Sequence, residues 1–202
     1  MKRALDIFVA VLGLLVLAPL LVLILTIVRL STGDLPLFRH KRVGRHGRDF
    51  FVYKFRTMRT LPGAENGAFD PGASSRVTPI GAFLRRTKLD ELPQLCNVLK
   101  GEMSMVGPRP EVRQWVDAYP ERWAVVLAVR PGITDPASIV YRNEKELLAS
   151  SPNPEQAYRE VVLPHKLDLY EEYVRTRSFW GDVGILFRTV GAVFGWGVGS
   201  GE

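Results

Sequence analysis

Twenty-two consecutive residues near the N-terminus carry no charged side chain, and they constrain the fold more than any other feature. The segment runs from Ile7 to Val28, and Thr26 is its one polar side chain. A helix of this length is long enough to span the hydrocarbon core of a bilayer, which needs about 20 residues. The sequence therefore predicts contact with a membrane.

Pro19 lies in the middle of this segment, where it removes a backbone donor and clashes with the preceding turn. We expect a kink that divides the helix into halves of roughly 18 Å, too short to cross ~30 Å of hydrocarbon. Basic residues also flank both ends, as expected if both ends lie on the cytoplasmic side. These features predict a re-entrant membrane helix over residues 1–30. The alternative is a single kinked helix that spans the bilayer.

The positive charge of the chain is concentrated just after this segment. The net charge is +6, yet residues 29–60 hold nine Lys or Arg residues against two Asp residues. Such a block favours an anionic lipid surface or a polyphosphate ligand. The single cysteine, Cys96, excludes an intrachain disulfide, and we interpret it as structural.

Residues 31–202 are predicted to form a compact, mostly helical α+β domain. A turn at Gly44–Gly47 between apolar and aromatic runs predicts a small β-hairpin, and Thr78-Pro79 predicts a capped helix start. We expect a loop over 61–75 and a short strand over 138–141. Further helices are predicted over 91–99, 112–129 with a division at Pro120, 155–173 and 180–194.

Asp90 and Glu91 are adjacent carboxylates at a predicted helix start. Such a pair can bind a divalent cation that neutralises a phosphate, or one member can attack phosphorus while the other helps hold the metal. The structural alternative is that they cap the helix and complement its dipole.

Arg109 stands between two prolines in the segment Gly107–Glu111. A guanidinium held in this way suits bidentate contact with phosphate oxygens, although a stiffened turn with a solvated Arg is the alternative. Five other basic residues near these segments could gather a polyanionic ligand: Lys54, Arg56, Arg85, Arg86 and Lys88. The three histidines lack the spacing of a metal site, and we interpret each as a surface or loop residue.

Three motifs together with the N-terminal segment resemble the bacterial monotopic phosphoglycosyl transferases, which initiate glycoconjugate assembly. They are YKFRTM (Tyr53–Met58), the long motif from Arg85 to Glu111, and RPGIT (Arg130–Thr134). The resemblance extends from about Lys2 to Asp182, nearly the whole chain. It implies a re-entrant helix over residues 1–30 and a catalytic domain over 31–202 at the cytoplasmic face of the bacterial inner membrane.

The resemblance also implies a reaction. Family members transfer a sugar 1-phosphate from a UDP-sugar to undecaprenyl phosphate, release UMP and require Mg²⁺. The family mechanism is ping-pong, with a phosphosugar intermediate on the residue that corresponds to Asp90. Glu91 would be its metal-linked partner and Arg109 would bind phosphate. Lys54, Arg56 and Arg85 are further candidate substrate contacts, and nucleic acid is not expected as a partner.

One segment departs from the family pattern. Many relatives continue after RPGIT with Gly-Leu-Ala, whereas this chain has Asp135 followed by Pro-Ala-Ser. In the segment that follows, Arg142 or Glu144 could face the nucleotide sugar, and the identity of the sugar stays open.

Two other functions compete with the transferase. A non-catalytic, membrane-anchored protein could bind anionic lipid or polyphosphate through the basic block, with Asp90 and Glu91 as helix caps. A nucleotide-sugar hydrolase could use water as the acceptor. Release of UMP separates a binder from an enzyme, and dependence on polyprenol phosphate separates the transferase from the hydrolase.

Overall fold

The computed structural model describes residues 1–60, 76–141 and 144–193, and it is mostly helical with two small sheets. The predicted α+β class is therefore confirmed, whereas the predicted loop over 61–75 lies outside the described residues. The helices are α1 (Lys2–Thr32), α2 (Pro79–Thr87), α3 (Gln94–Lys100), α4 (Arg113–Ala118), α5 (Pro120–Val126), α6 (Pro136–Val140), α7 (Glu144–Ala149), α8 (Pro154–Ala157), α9 (Leu163–Thr176) and α10 (Phe179–Val193). The strands are β1 (Leu37–Val43), β2 (Asp49–Phe55), β3 (Ser104–Val106) and β4 (Gly132–Thr134).

Helix α1 contains the long apolar segment and has 31 residues, a length of roughly 46 Å. It continues through Pro19 and ends at Gly33, which adopts a left-handed conformation with φ of 73°. Pro19 therefore does not divide α1 into two separate helices, because one lost donor leaves the surrounding helical hydrogen bonds in place. By length and composition, α1 is the one helix among the described residues that could cross a membrane. The re-entrant course stays a prediction.

Both halves of α1 pack on the rest of the chain. Ala10, in the first half, is buried in an apolar cluster with β2 and α3, and Ile24 and Val28, in the second half, are buried with Phe55 and Leu84. The opposite side of the helix exposes large apolar side chains along its whole length. An exposed apolar surface of this extent is typical of contact with a membrane or another protein.

The predicted β-hairpin is confirmed. Strands β1 and β2 are antiparallel, from the pair Leu37 and Phe55 to the pair Val43 and Asp49. Because side chains alternate between faces, His40 and Lys54 share the face that turns towards the domain. Phe51 lies on the opposite face, and its side chain is exposed.

The helix signals in the middle of the chain were mostly predictive. Thr78 accepts a hydrogen bond from the Gly81 backbone at 3.0 Å and Pro79 begins α2, as expected. Pro120 divides the next helical region into α4 and α5, also as expected. Helix α3 begins at Gln94 rather than at Glu91, because residues 89–91 form a separate 3₁₀ turn.

The strand predicted over residues 138–141 is wrong. Most of that segment lies in α6, because Asp135 caps its first turn by accepting from the Ser138 backbone at 2.9 Å and Pro136 favours helix at the first position. A strand instead precedes this helix: β4 pairs in parallel with β3. This pairing brings the segment before Arg109 beside the RPGIT motif.

The C-terminal helices close the domain. The helix predicted over 155–173 is present as α8, a π-helical turn over Tyr158–Val162 and α9, which extends to Thr176. Helix α10 spans Phe179–Val193, close to the predicted 180–194, although residue 194 lies outside the described residues. At its start, the buried Asp182 accepts from Lys2 of α1 and, at 2.8 Å, from the Tyr173 hydroxyl. The first and last described helices are thereby joined.

Candidate active site

The adjacent carboxylates lie on the 3₁₀ turn Leu89–Glu91, between α2 and α3. Lys88 ends α2 in a left-handed conformation with φ of 60°, which reverses the chain and turns the next two side chains inward. Asp90 and Glu91 are each only 8% exposed. An interior position for two neighbouring acids is costly unless cations compensate them, so their partners decide what the site can do.

Glu91 is held by two cations from distant parts of the chain. Lys54 of β2 donates to one carboxylate oxygen at 2.7 Å. Arg109 donates to both oxygens, to the second at 3.2 Å. These neighbours outweigh the effect of burial and hold the pKa of Glu91 well below its usual range. Glu91 is therefore ionised, and both of its oxygens are engaged.

Asp90 differs from its neighbour. Among the residues that the structure describes, none donates a hydrogen bond to the Asp90 carboxylate. Burial raises the pKa of this carboxyl, and the nearby Lys54 and Lys88 only partly oppose that effect. A carboxylate that is desolvated but not hydrogen-bonded is more nucleophilic than one in water. This side chain is therefore free to contact a substrate.

Arg109 owes its position to a close approach of two backbones. The amide of Gly107 donates to the Thr134 carbonyl at 3.0 Å, and the amide of Gly132 donates to the Pro108 carbonyl at 2.9 Å. A Cβ atom added to Gly132 would lie 2.1 Å from the Gly107 nitrogen, so only glycine fits. The GPRP and RPGIT motifs thus form one structural unit.

The remaining predicted site residues are placed differently. Arg85 donates to the Thr57 hydroxyl at 2.8 Å, and Asp90 lies close enough to stabilise its charge. Arg56 instead bonds the Leu35 carbonyl at 2.8 Å and the Thr60 hydroxyl at 2.7 Å, neither of which belongs to the acidic pair. Arg142 lies outside the described residues. The structure thus gathers Lys54, Arg85, Asp90, Glu91 and Arg109.

A second ion pair supports the same loop and was not predicted. Glu111, directly after the GPRP motif, is buried and accepts from Arg42 at 3.0 Å, from the Tyr158 hydroxyl at 2.6 Å and from the Val112 backbone at 3.1 Å. Arg42, foremost among the neighbours that oppose burial, lowers the pKa of Glu111. The Arg109 loop is therefore anchored on both sides. The only signal in the sequence was the acid at the end of GPRPE.

The side chains of the candidate site could hold Mg²⁺ together with a phosphate ligand. Among the described residues, no group of three or more His, Cys, Asp or Glu side chains could enclose a metal ion. Mg²⁺, however, is commonly held by one or two carboxylates together with substrate phosphates and water. Asp90 offers such a carboxylate, because the oxygens of Glu91 are engaged by Lys54 and Arg109. The residues fit Mg²⁺ that is shared with a phosphate ligand.

One surface groove among the described residues lies away from these side chains. It measures about 440 Å³ and is lined by residues of α4, of α8 and of the π-helical turn that follows α8, including Gln114, Trp115 and Arg159. None of the catalytic candidates lines it. The candidate active site is therefore defined by its charged side chains and not by this groove.

Comparison with known proteins gives a consistent result. The model of the bacterial sugar transferase family matches residues 1–196. The chain is 34% identical to the exopolysaccharide production protein ExoY of Rhizobium meliloti (strain 1021), over 95% of this chain and 84% of that protein.

Two longer relatives are named for the reactions that they catalyse. The chain is 40% identical to the UDP-glucose:undecaprenyl-phosphate glucose-1-phosphate transferase of Escherichia coli (strain K12), over 94% of this chain and 39% of that protein. It is 34% identical to the UDP-N-acetylgalactosamine-undecaprenyl-phosphate N-acetylgalactosaminephosphotransferase of Aeromonas hydrophila, over 94% of this chain and 42% of that protein. The chain thus spans about two fifths of the length of these two relatives.

Proposed function

Because the chain belongs to the bacterial sugar transferase family, we propose that it transfers a sugar 1-phosphate from a UDP-sugar to undecaprenyl phosphate and releases UMP. Relatives with two different sugars in their names support the reaction class and leave the sugar open. One observation supports the catalytic assignment most directly. The buried carboxylate of Asp90, which accepts no hydrogen bond from the described residues, stands beside a Glu91 that Lys54 and Arg109 hold in place.

In this proposal Asp90 is the nucleophile. Its carboxylate oxygen attacks the β-phosphorus of the UDP-sugar, and the bond from that phosphorus to the bridging oxygen breaks. UMP departs with the electron pair. A phosphate oxygen of undecaprenyl phosphate then attacks the same phosphorus, forms the diphosphate-linked sugar and restores Asp90. The soluble donor and the lipid acceptor therefore need not occupy the site together.

The cations around the pair reduce the cost of bringing anions together. Arg109 and Lys54 contribute two positive charges beside Asp90, and Arg85 lies near enough to add a third. Electrostatic stabilisation from preorganised groups is commonly the largest catalytic effect in such sites. Mg²⁺, held by Asp90 and the substrate phosphates with Glu91 as its neighbour, would supply further neutralisation of phosphate charge.

The acceptor requires a site at the membrane surface. The apolar face of α1 is the surface that we propose lies in the bacterial inner membrane, with the catalytic domain on the cytoplasmic face. Contacts at both ends of α1 support a re-entrant course, because Lys2 and Val28 touch the same domain. Arg39 and Lys41, exposed on β1 beyond α1, would then meet anionic phospholipid.

The test is release of UMP by the purified protein in nanodiscs with Mg²⁺, undecaprenyl phosphate and a panel of UDP-sugars. Asp90→Asn should abolish release, whereas Asp117→Asn, an exposed matched change in α4, should not. A folded wild-type protein that releases no UMP with any donor would favour the binding protein. Repeated turnover that releases UMP in the absence of undecaprenyl phosphate would favour the hydrolase.

The covalent step has its own test. Without the lipid acceptor, labelled UMP should exchange into the UDP-sugar, because attack by Asp90 is reversible. Intact-protein mass spectrometry should show one sugar phosphate added to the wild type and none to Asp90→Asn. Turnover without exchange and without the adduct would show that both substrates react in one complex.

A further inference from the structure

One face of the β-hairpin extends the site beyond the phosphate-binding residues. Phe38 is the cross-strand partner of Lys54, so their Cβ atoms are about 5 Å apart on the same face. His40 follows two residues later on that face, and its ring centroid is 5.8 Å from that of Phe38. Two aromatic rings therefore stand beside the lysine that binds Glu91.

His40 lies between Arg42, which pairs with Glu111, and Lys54, which pairs with Glu91. Its Nδ1 lies 3.3 Å from the Arg42 guanidinium, whose other nitrogen pairs with Glu111. The same Arg42 group approaches the carbonyl of Pro110, the residue after Arg109, at 3.5 Å. On the other side, Lys54 is close enough for its charge to disfavour protonation of the imidazole. The ring thus borders the site at its Arg109 end.

The hydrogen-bonding state of His40 follows from these neighbours. Burial, aided by Arg42 and Lys54, lowers the pKa of His40 to about 4, so the ring is neutral near pH 7. Arg42 has only donors, which makes Nδ1 the acceptor and leaves the proton on Nε2. Within the described residues this Nε2–H group has no hydrogen-bond partner. It remains available to an acceptor on a ligand.

Phe38 is also incompletely covered. It is 40% exposed, and the Arg56 guanidinium lies 5.8 Å from its ring centre. A half-exposed aromatic ring beside cations offers a face on which a flat, electron-poor ring can stack. Phe51, which is 48% exposed, lies on the opposite face of the hairpin and provides an internal comparison.

We propose that Phe38 and His40 form the subsite for the pyrimidine base of the nucleotide donor. The base stacks on the Phe38 ring, and the Nε2–H group of His40 donates to a ring carbonyl. Lys54, between these residues and Glu91, joins the base subsite to the phosphate site. The identification of a pyrimidine rests on the proposed function, which supplies the UDP-sugar as donor.

The test measures direct binding of UMP and of ribose 5-phosphate, which lacks the base, by calorimetry on the full chain in nanodiscs. Phe38→Leu should weaken UMP binding about tenfold, since stacking on an aromatic ring contributes roughly 1 to 3 kcal/mol per base. Binding of ribose 5-phosphate should not change. Phe38→Tyr should restore UMP affinity, and Phe51→Leu should match the wild type. His40→Leu should weaken UMP binding and spare ribose 5-phosphate.

Three results would overturn the base subsite. Unchanged UMP affinity in Phe38→Leu and His40→Leu would do so, as would an equal loss for both ligands, which would indicate a phosphate contact or a general defect. Weaker binding of Phe38→Leu to anionic vesicles, with UMP affinity intact, would place Phe38 against lipid. UMP release is measured separately, so base-dependent binding without turnover would reject the proposed function and keep the subsite.

Discussion

Replacing Glu91 with Gln tests the charge network at the site most directly. The change keeps the shape of the side chain and removes the negative charge that Lys54 and Arg109 share. The Glu91 side chain is 11% exposed, against 22% for Lys54 and 31% for Arg109. Two largely buried cations would then face each other, with Asp90 near Lys54 and Asp135 near Arg109 as more distant acids. Repulsion and lost pairing should destabilise the folded state.

The expected loss is about 3 kcal/mol. Removing one partner of a buried ion pair costs roughly 3 to 5 kcal/mol, and the exposure of Arg109 favours the lower end. For a domain of this size each kcal/mol lowers Tm by about 2 to 4 °C, so Tm should fall by roughly 6 to 12 °C.

The assay is thermal unfolding in detergent, with Glu172→Gln as the control. Glu172 pairs with Arg175, and both side chains are more than half exposed. That variant should change Tm by less than about 4 °C, since exposed pairs contribute less than ~1 kcal/mol. Equal Tm values for Glu91→Gln and the wild type would refute the reasoning, because the cations would then not depend on this carboxylate.

Two further predictions concern the Arg109 loop and the Glu91 ion pairs. Gly132→Ala should unfold the protein or displace the Arg109 loop, because the new Cβ would lie 2.1 Å from the Gly107 nitrogen. Gly184→Ala in α10, with no atom within 4 Å, should be neutral or stabilising, and circular dichroism melts compare the two. The Tm difference between wild type and Glu91→Gln should also depend on pH. The pKa of Glu91 in the folded protein lies well below the ordinary value of 4.5, so the stabilisation by its charge is complete above pH 4.5 and is lost as the pH falls through the lowered pKa. A Tm difference that stays constant in acid would contradict this.

The local parts of the fold were readable from the sequence. Thr78 and Pro79 predicted the start of α2, and Gly44 and Gly47 marked the hairpin, because caps and turns depend on neighbouring residues. The strands β3 and β4 were missed, since three residues are too short to show a periodic pattern. Their pairing depends on a contact between residues 104 and 132, which no local signal reveals.

In the candidate site, too, local motifs could be read from the sequence, whereas contacts between distant residues could not. Asp90, Glu91 and Arg109 were predicted as site residues because each belongs to a short motif, and the structure brings the three side chains together. The pairing of Lys54 with Glu91 joins residues 37 apart, and that of Arg42 with Glu111 joins residues 69 apart. Only the folded hairpin brings these cations to the acids. His40 was interpreted as a surface or loop residue for the same reason, although it is half-buried beside Arg42.

The two halves of α1 touch the elements that bear the catalytic candidates. Lys2 donates to the carbonyl of Val106 at 2.9 Å, just before the loop of Arg109. At the other end, Val28 packs with Phe55, the residue after Lys54. The apolar helix therefore fixes the site from two sides, and it cannot tilt away from the domain without moving Lys54 or Arg109. For the proposed reaction between a water-soluble nucleotide and a lipid phosphate, such coupling would hold the attacked phosphorus at the depth where the lipid headgroup lies.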